Sequence, residues 1–205
     1  MVPSGQRWGD PSRHLGVLAK RLKAPMPAVG LMTAVPMSQV VVVRDQQDRI
    51  SLECFCTVGV TNAVSAGEPV GQTGGQPASD RVGTINIVLI TSATLSGAAM
   101  VGAVQVATES KTAVLRDNRV PSAGCNRLAT GTGTDAVVVA SGRSGTVKLT
   151  YSGTHTILGS MIGRLVTQAV QEGLNRSIRW HQSAGGRRPA GLLSGKRPHR
   201  RSSRS

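Results

Sequence analysis

A chain of 205 residues with 39% apolar content is long enough for one domain with a real core and short for two. Aromatic residues make up only 2%, so Val, Leu, Ile, Ala and Met must fill that core, and base stacking on nucleic acid has almost nothing to work with. The net charge of +14 is uneven: residues 176–205 hold nine Arg and Lys and no acid, which leaves 15 basic against 10 acidic residues, or +5, for a mildly basic body over 1–175.

The N-terminus, MVPSGQRWGDPSRHL, lacks the apolar core of a secretory leader, and no apolar run reaches 18 residues. Cys54, Cys56 and Cys125 show no paired CxxC spacing and fit reduced thiols. Together these features lead us to expect a soluble cytoplasmic protein with no membrane partner. SRHLGVLAKRLK, 12–23, places Leu15, Leu18 and Leu22 at helical spacing opposite basic residues, and Pro25 and Pro27 end the helix it predicts.

SQVVVVR and RISLECFCTVGV predict strands near 38–44 and 49–60, joined through DQQD as a hairpin. Residues 61–81 are rich in Gly, Pro, Ser and Thr and read as a long loop, a type of segment that is often functional. VGTINIVLIT, 82–91, is apolar enough for a central strand covered on both faces.

With Ser92 or Ser96 as N-cap, GAAMVGAVQVATESKTAVLRD predicts a helix with Met100, Val104, Ala107, Val114 and Leu115 turned inward. A strand over 135–141, a turn at SGRSG and a strand over 146–151 suggest a second hairpin. In the last helix Leu158, Met161, Ile162, Leu165, Val166, Ala169 and Val170 hold one stripe, with Gly173 as its stop.

The order ββ, β, α, ββ, α argues for α+β architecture: a single layered domain with a mixed, largely antiparallel sheet covered by helices. The expected divisions are a short N-terminal segment with one helix, 1–28, the folded body, 29–175, and a basic, disordered tail, 176–205.

Candidate chemistry gathers at three junctions. ATGTGTDAVVVASG, 129–142, alternates Thr130, Thr132 and Thr134 with Gly131 and Gly133. Its glycines let backbone approach a ligand, and its hydroxyls and amides suit amide or carboxyl groups, although a tight loop entering a strand explains the same letters. It lacks the Lys of a phosphate-binding P-loop. Asp135 either braces this loop or faces a substrate.

In ATESKT, 107–112, Lys111 falls on the buried stripe of its helix, where an ammonium either snorkels to an edge or is held in a cleft. Glu109 projects about 160° away from it and needs a separate partner. His155, between Thr154 and Thr156 ahead of the last helix, is placed for proton exchange near neutral pH or for a plain capping role. No HxH, HExxH or carboxylate cluster suggests a metal, and no Gly-x-Ser-x-Gly elbow is present.

The segments VGLMTA (29–34), TVGVTNA (57–63), GTINIVLI (83–90), ATESKTAVL (107–115), ATGTGTDAVVV (129–139) and YSGTHTILGSMIG (151–163), in this order, resemble the adenosylcobinamide amidohydrolase family of cobalamin salvage. The resemblance spans about 29–175. It implies hydrolysis of the amide between the corrin propionate side chain and aminopropanol in adenosylcobinamide, giving adenosylcobyric acid and 1-amino-2-propanol, with the corrinoid as substrate and no cofactor.

Amide hydrolysis needs a base and oxyanion donors. The resemblance marks the positions, and this chemistry makes His155 or Glu109 the expected base. Lys111 and the amides around Gly131 and Gly133 are the oxyanion donors, with Asp135 in the catalytic group. Thr130, Gly131, Thr132, Gly133, Thr134, Asn86, Thr108 and Thr154 hold substrate. Thr132 or Thr134 as nucleophile is the weaker reading, since the sequence places no activating base beside either.

The resemblance also implies N-terminal strands that 28 residues cannot supply, and a shorter tail than this chain carries. Two other readings remain: a corrinoid-binding protein impaired in turnover, and a nucleic-acid-binding protein acting through the tail. The sequence does not bear on oligomeric state.

Overall fold

A computed structural model describes residues 10–69, 83–145 and 147–183. Helix α1, Pro11–Arg21, starts where Asp10 accepts the Ser12 amide at 2.9 Å and a proline occupies the first turn. A short 3₁₀ turn, Met37–Gln39, leads into strand β1, Val41–Gln47, which pairs antiparallel with β2, Ile50–Val58.

The hairpin turn is Asp48–Arg49, both left-handed with φ of 47° and 67°, as a two-residue turn between twisted strands requires. It takes in only the last residue of the expected DQQD, because Asp45, Gln46 and Gln47 remain in β1. An edge strand tolerates such polar residues, and Asp45 is ion-paired there with Arg164 of the last helix at 2.7 Å.

The main sheet has the order β1-β2-β4-β7, where β4 is Ile85–Thr91 and β7 is Ala136–Ser141. Pairing is antiparallel except between β4 and β7, so the sheet is mixed and largely antiparallel, as expected. Helices α2, Gly97–Asp117, and α3, Ile157–Ser183, pack on one face, against Leu52, Cys54, Ile85, Ile87 and Leu89.

The expectation that β4 is covered on both faces fails here. Asn86 is buried on the far side, but Val88 is half-buried and Ile90 exposed, so a single helical layer covers one side of the sheet and β4 alternates accordingly.

The expected second hairpin does not form. β7 lies parallel to β4, and β8, Lys148–Leu149, lies parallel to β5, Thr94–Leu95, in a separate two-stranded sheet. The cause is visible in the SGRSG segment: Gly142 donates to Ala93 O at 2.9 Å, and Gly145 donates to Thr94 Oγ1 at 3.1 Å. Both glycines pass so close to Ser92 that a Cβ would collide with its carbonyl. The segment therefore runs alongside 92–96 instead of turning back on itself.

Ser96 caps α2 by accepting the Ala99 amide at 3.1 Å. Of the five residues expected inward, Ala107, Val114 and Leu115 are buried, whereas Met100 and Val104 are exposed and Ala99, Ala103 and Val106 take their place. Small side chains on the contact stripe bring α2 close to α3, so the larger residues turn outward.

All seven apolar residues expected on the last helix are buried. Gly173 does not stop that helix, because α3 runs on to Ser183 and takes in residues 176–183 of the expected tail, with Ser177 buried and Arg176 bonded to Val40 O at 2.8 Å. The remaining expected tail lies outside the described residues.

Gly173 instead permits close packing, since a Cβ there would come within 2.5 Å of Val58 Cγ2 and 3.0 Å of Val58 Cβ. Gly173→Ala is expected to destabilise by about 1–3 kcal/mol through overpacking, read as a lower urea midpoint at unchanged slope.

Candidate active site

The loop that ends in Asp135 is built around that residue's carboxylate. Short strand β6, Gly131–Thr132, pairs antiparallel with β3, Ala63–Val64, and Thr130 N donates to Val64 O at 3.0 Å, which anchors the loop on one side. On the other side Asp135 Oδ1 accepts the Ile85 amide at 2.9 Å and the Thr132 hydroxyl at 2.6 Å. Oδ2 accepts the Thr132 amide at 3.0 Å and Lys111 Nζ at 2.5 Å.

The side chains of Lys111 and Asp135 are 9% and 13% exposed, so this is a largely desolvated ion pair held by neutral donors as well. A Cβ on Gly131 would lie 2.5 Å from Asp135 Oδ2 and 2.8 Å from Lys111 Nζ. Glycine is what lets the pair sit against the backbone.

The three threonines divide their roles. Thr130 Oγ1 accepts the Ala66 amide at 2.8 Å while its carbonyl accepts the Thr112 hydroxyl at 3.0 Å. Thr134 Oγ1 donates to Gly83 O at 3.2 Å, and its carbonyl accepts the Thr84 hydroxyl at 2.8 Å. Thr130 therefore fastens the loop to α2 and to the segment after β3, and Thr134 fastens it to the residues just before β4, whereas the Thr132 hydroxyl is directed at the carboxylate.

The structure thus brings together Lys111, Asp135, Thr130, Gly131, Thr132, Gly133 and Thr134. It also supplies what the sequence did not show, a carboxylate in hydrogen-bond reach of Thr132. A Thr-x-x-Asp spacing within one loop was the available signal. The framing groups Thr84, Ile85 and Thr112 were not singled out by sequence.

The other expected site residues lie elsewhere. Glu109 is on the exposed side of α2 and accepts from Gln105 Nε2 at 2.9 Å, one turn away. Thr108 is exposed and donates back to Val104 O at 2.8 Å.

His155 and Thr154 are exposed in the turn before α3, where Thr156 Oγ1 caps the helix by accepting the Gly159 amide at 3.0 Å. That turn is reached through Ser152 and Gly153, which sit against Gly102. Gly102 precedes Lys111 by nine residues of α2, or about 14 Å along the axis. The three polar junctions therefore do not close into one constellation: two meet, and the His155 turn lies towards the opposite end of α2.

Asn86 is on the sheet face away from the helices. It donates to Met32 O at 2.9 Å and lines a cavity of about 130 Å³ with Phe55, Thr57 and Val88.

A second carboxylate braces the segment that follows β3. Glu68 accepts the Ser122 hydroxyl at 2.6 Å and the Ser65 amide at 2.8 Å. The Ser122 hydroxyl is the chief cause holding its carboxyl below the usual range.

Burial pushes the Cys54 thiol up to about 12 and raises Cys56 further, while Cys125 is half-buried. One thiol of three is expected to react with Ellman's reagent in the native protein and all three in denaturant. Since the folded value of Cys54 lies above its usual 9.0, its stabilising contribution is complete below pH 9 and lost as pH rises through about 12.

The comparisons with known proteins converge on one family. A family model described as adenosylcobinamide amidohydrolase matches residues 1–182. The chain is similar to an adenosylcobinamide amidohydrolase of Methanosarcina mazei, 33% identical over 155 residues, covering 72% of this chain and 66% of that protein. It is likewise similar to an uncharacterized protein of Methanocaldococcus jannaschii, 33% identical over 158 residues, covering 70% of this chain and 61% of the relative. The match thus spans between three fifths and two thirds of each relative's own length.

Proposed function

The chain belongs to the adenosylcobinamide amidohydrolase family, and from that membership we propose that it hydrolyses the amide joining the corrin propionate side chain to aminopropanol in adenosylcobinamide. The products are adenosylcobyric acid and 1-amino-2-propanol. In the cytoplasm this reaction returns incomplete corrinoids to the route towards adenosylcobalamin.

The observation that carries the reading is the chain of contacts from Lys111 through Asp135 to the Thr132 hydroxyl, 2.5 Å and 2.6 Å long. An amide carbonyl is a poor electrophile, so its hydrolysis needs an activated oxygen, a cation or amides for the oxyanion, and a proton for the departing nitrogen. Thr132 Oγ attacks the carbonyl carbon and its proton passes to Asp135 Oδ1. Lys111 Nζ, which has two further N–H donors beyond the one on Asp135, takes the oxyanion.

Collapse breaks the C–N bond, and Asp135 returns the proton to the nitrogen, which leaves as 1-amino-2-propanol. Water then attacks the Thr132 ester, frees the carboxylic acid and restores the hydroxyl. The Ile85 amide and Lys111 keep the carboxylate fixed through both halves. This assignment replaces His155 and Glu109 as base, since neither lies beside the paired cluster.

The test is to incubate the purified protein with adenosylcobinamide and separate the corrinoids by chromatography. The expected result is adenosylcobyric acid appearing in step with free 1-amino-2-propanol. Tight corrinoid binding without release of the amine would overturn the hydrolase reading and leave a binding protein.

A further inference from the structure

We propose that α1 and the segment after it form a docking surface for an anionic lipid bilayer. α1 buries none of its residues. Its apolar stripe, Leu15, Leu18 and Leu22, instead forms with Met26 and Val29 an open groove of about 470 Å³, and Leu22, Met26 and Val29 are 68%, 69% and 77% exposed. An apolar patch of this kind on a soluble body marks a contact with something outside it.

The charge around the groove selects the partner. Arg13, Lys20 and Arg21 lie on the side of α1 opposite the stripe, Lys23 follows just past its end, and no acidic residue occurs between the capping Asp10 and Asp45. A second copy of the chain would bring two basic, acid-free segments together, and a nucleic acid would leave the leucines and Met26 unmatched. A bilayer with anionic headgroups answers both features, taking the apolar side chains at the acyl boundary and the cations at the headgroups. The attachment is peripheral, because no described helix is long and apolar enough to cross a membrane. The absence of a spanning segment in the described residues bears on membrane crossing alone, and an interfacial helix corrects the expectation of no membrane partner.

The test is co-sedimentation of the full chain with vesicles of phosphatidylcholine alone or with added phosphatidylglycerol. Binding is expected only to the anionic vesicles and should weaken as salt is raised. Leu18→Ser/Leu22→Ser/Met26→Ser, which removes no buried group, should lower the bound fraction about tenfold or more at an unchanged melting temperature.

Lys20→Glu/Lys23→Glu, with the apolar residues intact, should do the same and serves if the triple variant is unstable. Undiminished binding by both variants would assign the attraction to the basic residues 184–205 and overturn the proposal. So would failure of the unmodified chain to bind, or equal binding to neutral vesicles.

Discussion

Lys111→Met is expected to cost about 3–5 kcal/mol of folding stability and to abolish turnover. Methionine fills much of the lysine's volume, so the loss is electrostatic rather than a cavity effect. Asp135 would keep the Ile85 amide and both donors of Thr132 but lose the one cation paired with it among the described residues, in a site where its side chain is 13% exposed. Water cannot take the ammonium's place there at low cost.

Removing the charge as well, in Lys111→Met/Asp135→Asn, should return part of the loss, because an asparagine left with imperfect partners costs about 1–3 kcal/mol rather than the penalty of a buried ion. Urea unfolding of the two variants beside the parent decides it. A single-variant loss below about 1 kcal/mol would place the pair among weak solvent-screened bridges and remove the reason for Gly131 to be glycine.

What could be read from the sequence follows the range of the interactions involved. Helical period sets Lys111 on the same side as Ala107, Val114 and Leu115, and all four are buried. The same period also turns Met100 and Val104 inward, yet they are exposed, because a stripe of Ala99, Ala103 and Ala107 becomes the contact only when α3 approaches closely. Gly173 looks like a helix stop in one dimension, and only Val58 across the interface explains it.

The 135–151 region contains two β-branched runs and a Gly-rich turn, yet its pairing partners are β4 and β5, which lie earlier in the chain. The site behaves in the same way. Thr132 and Asp135 are three residues apart and their contact is local, whereas Lys111 and Asp135 are joined only because α2 crosses back over the sheet between β4 and β7. His155 was correctly placed at a strand-to-helix junction, but the letters do not tell which end of α2 that junction meets.

Thr132→Val separates chemistry from architecture most sharply. Valine keeps the branched shape and the backbone amide that donates to Asp135 Oδ2, so the loop loses one hydrogen bond to a charged acceptor, about 1.5–3 kcal/mol. Removal of an attacking oxygen, by contrast, should lower kcat by about three to six orders of magnitude with little change in KM. Thr132→Ser retains the hydroxyl and should keep most of the rate, although its freer rotamer weakens the alignment with Oδ1.

Hydroxylamine added during turnover should yield the corrinoid hydroxamate with the parent and with the serine variant, and none with the valine variant, because only an ester on residue 132 is intercepted this way. If Thr132→Val turns over at a rate near the parent's, water attacks directly and Asp135 is its base. The three hydrogen bonds that remain on Asp135, from Lys111 and from the Ile85 and Thr132 amides, would then orient a solvent molecule in place of the hydroxyl, and access of that water past Gly131 would set the rate.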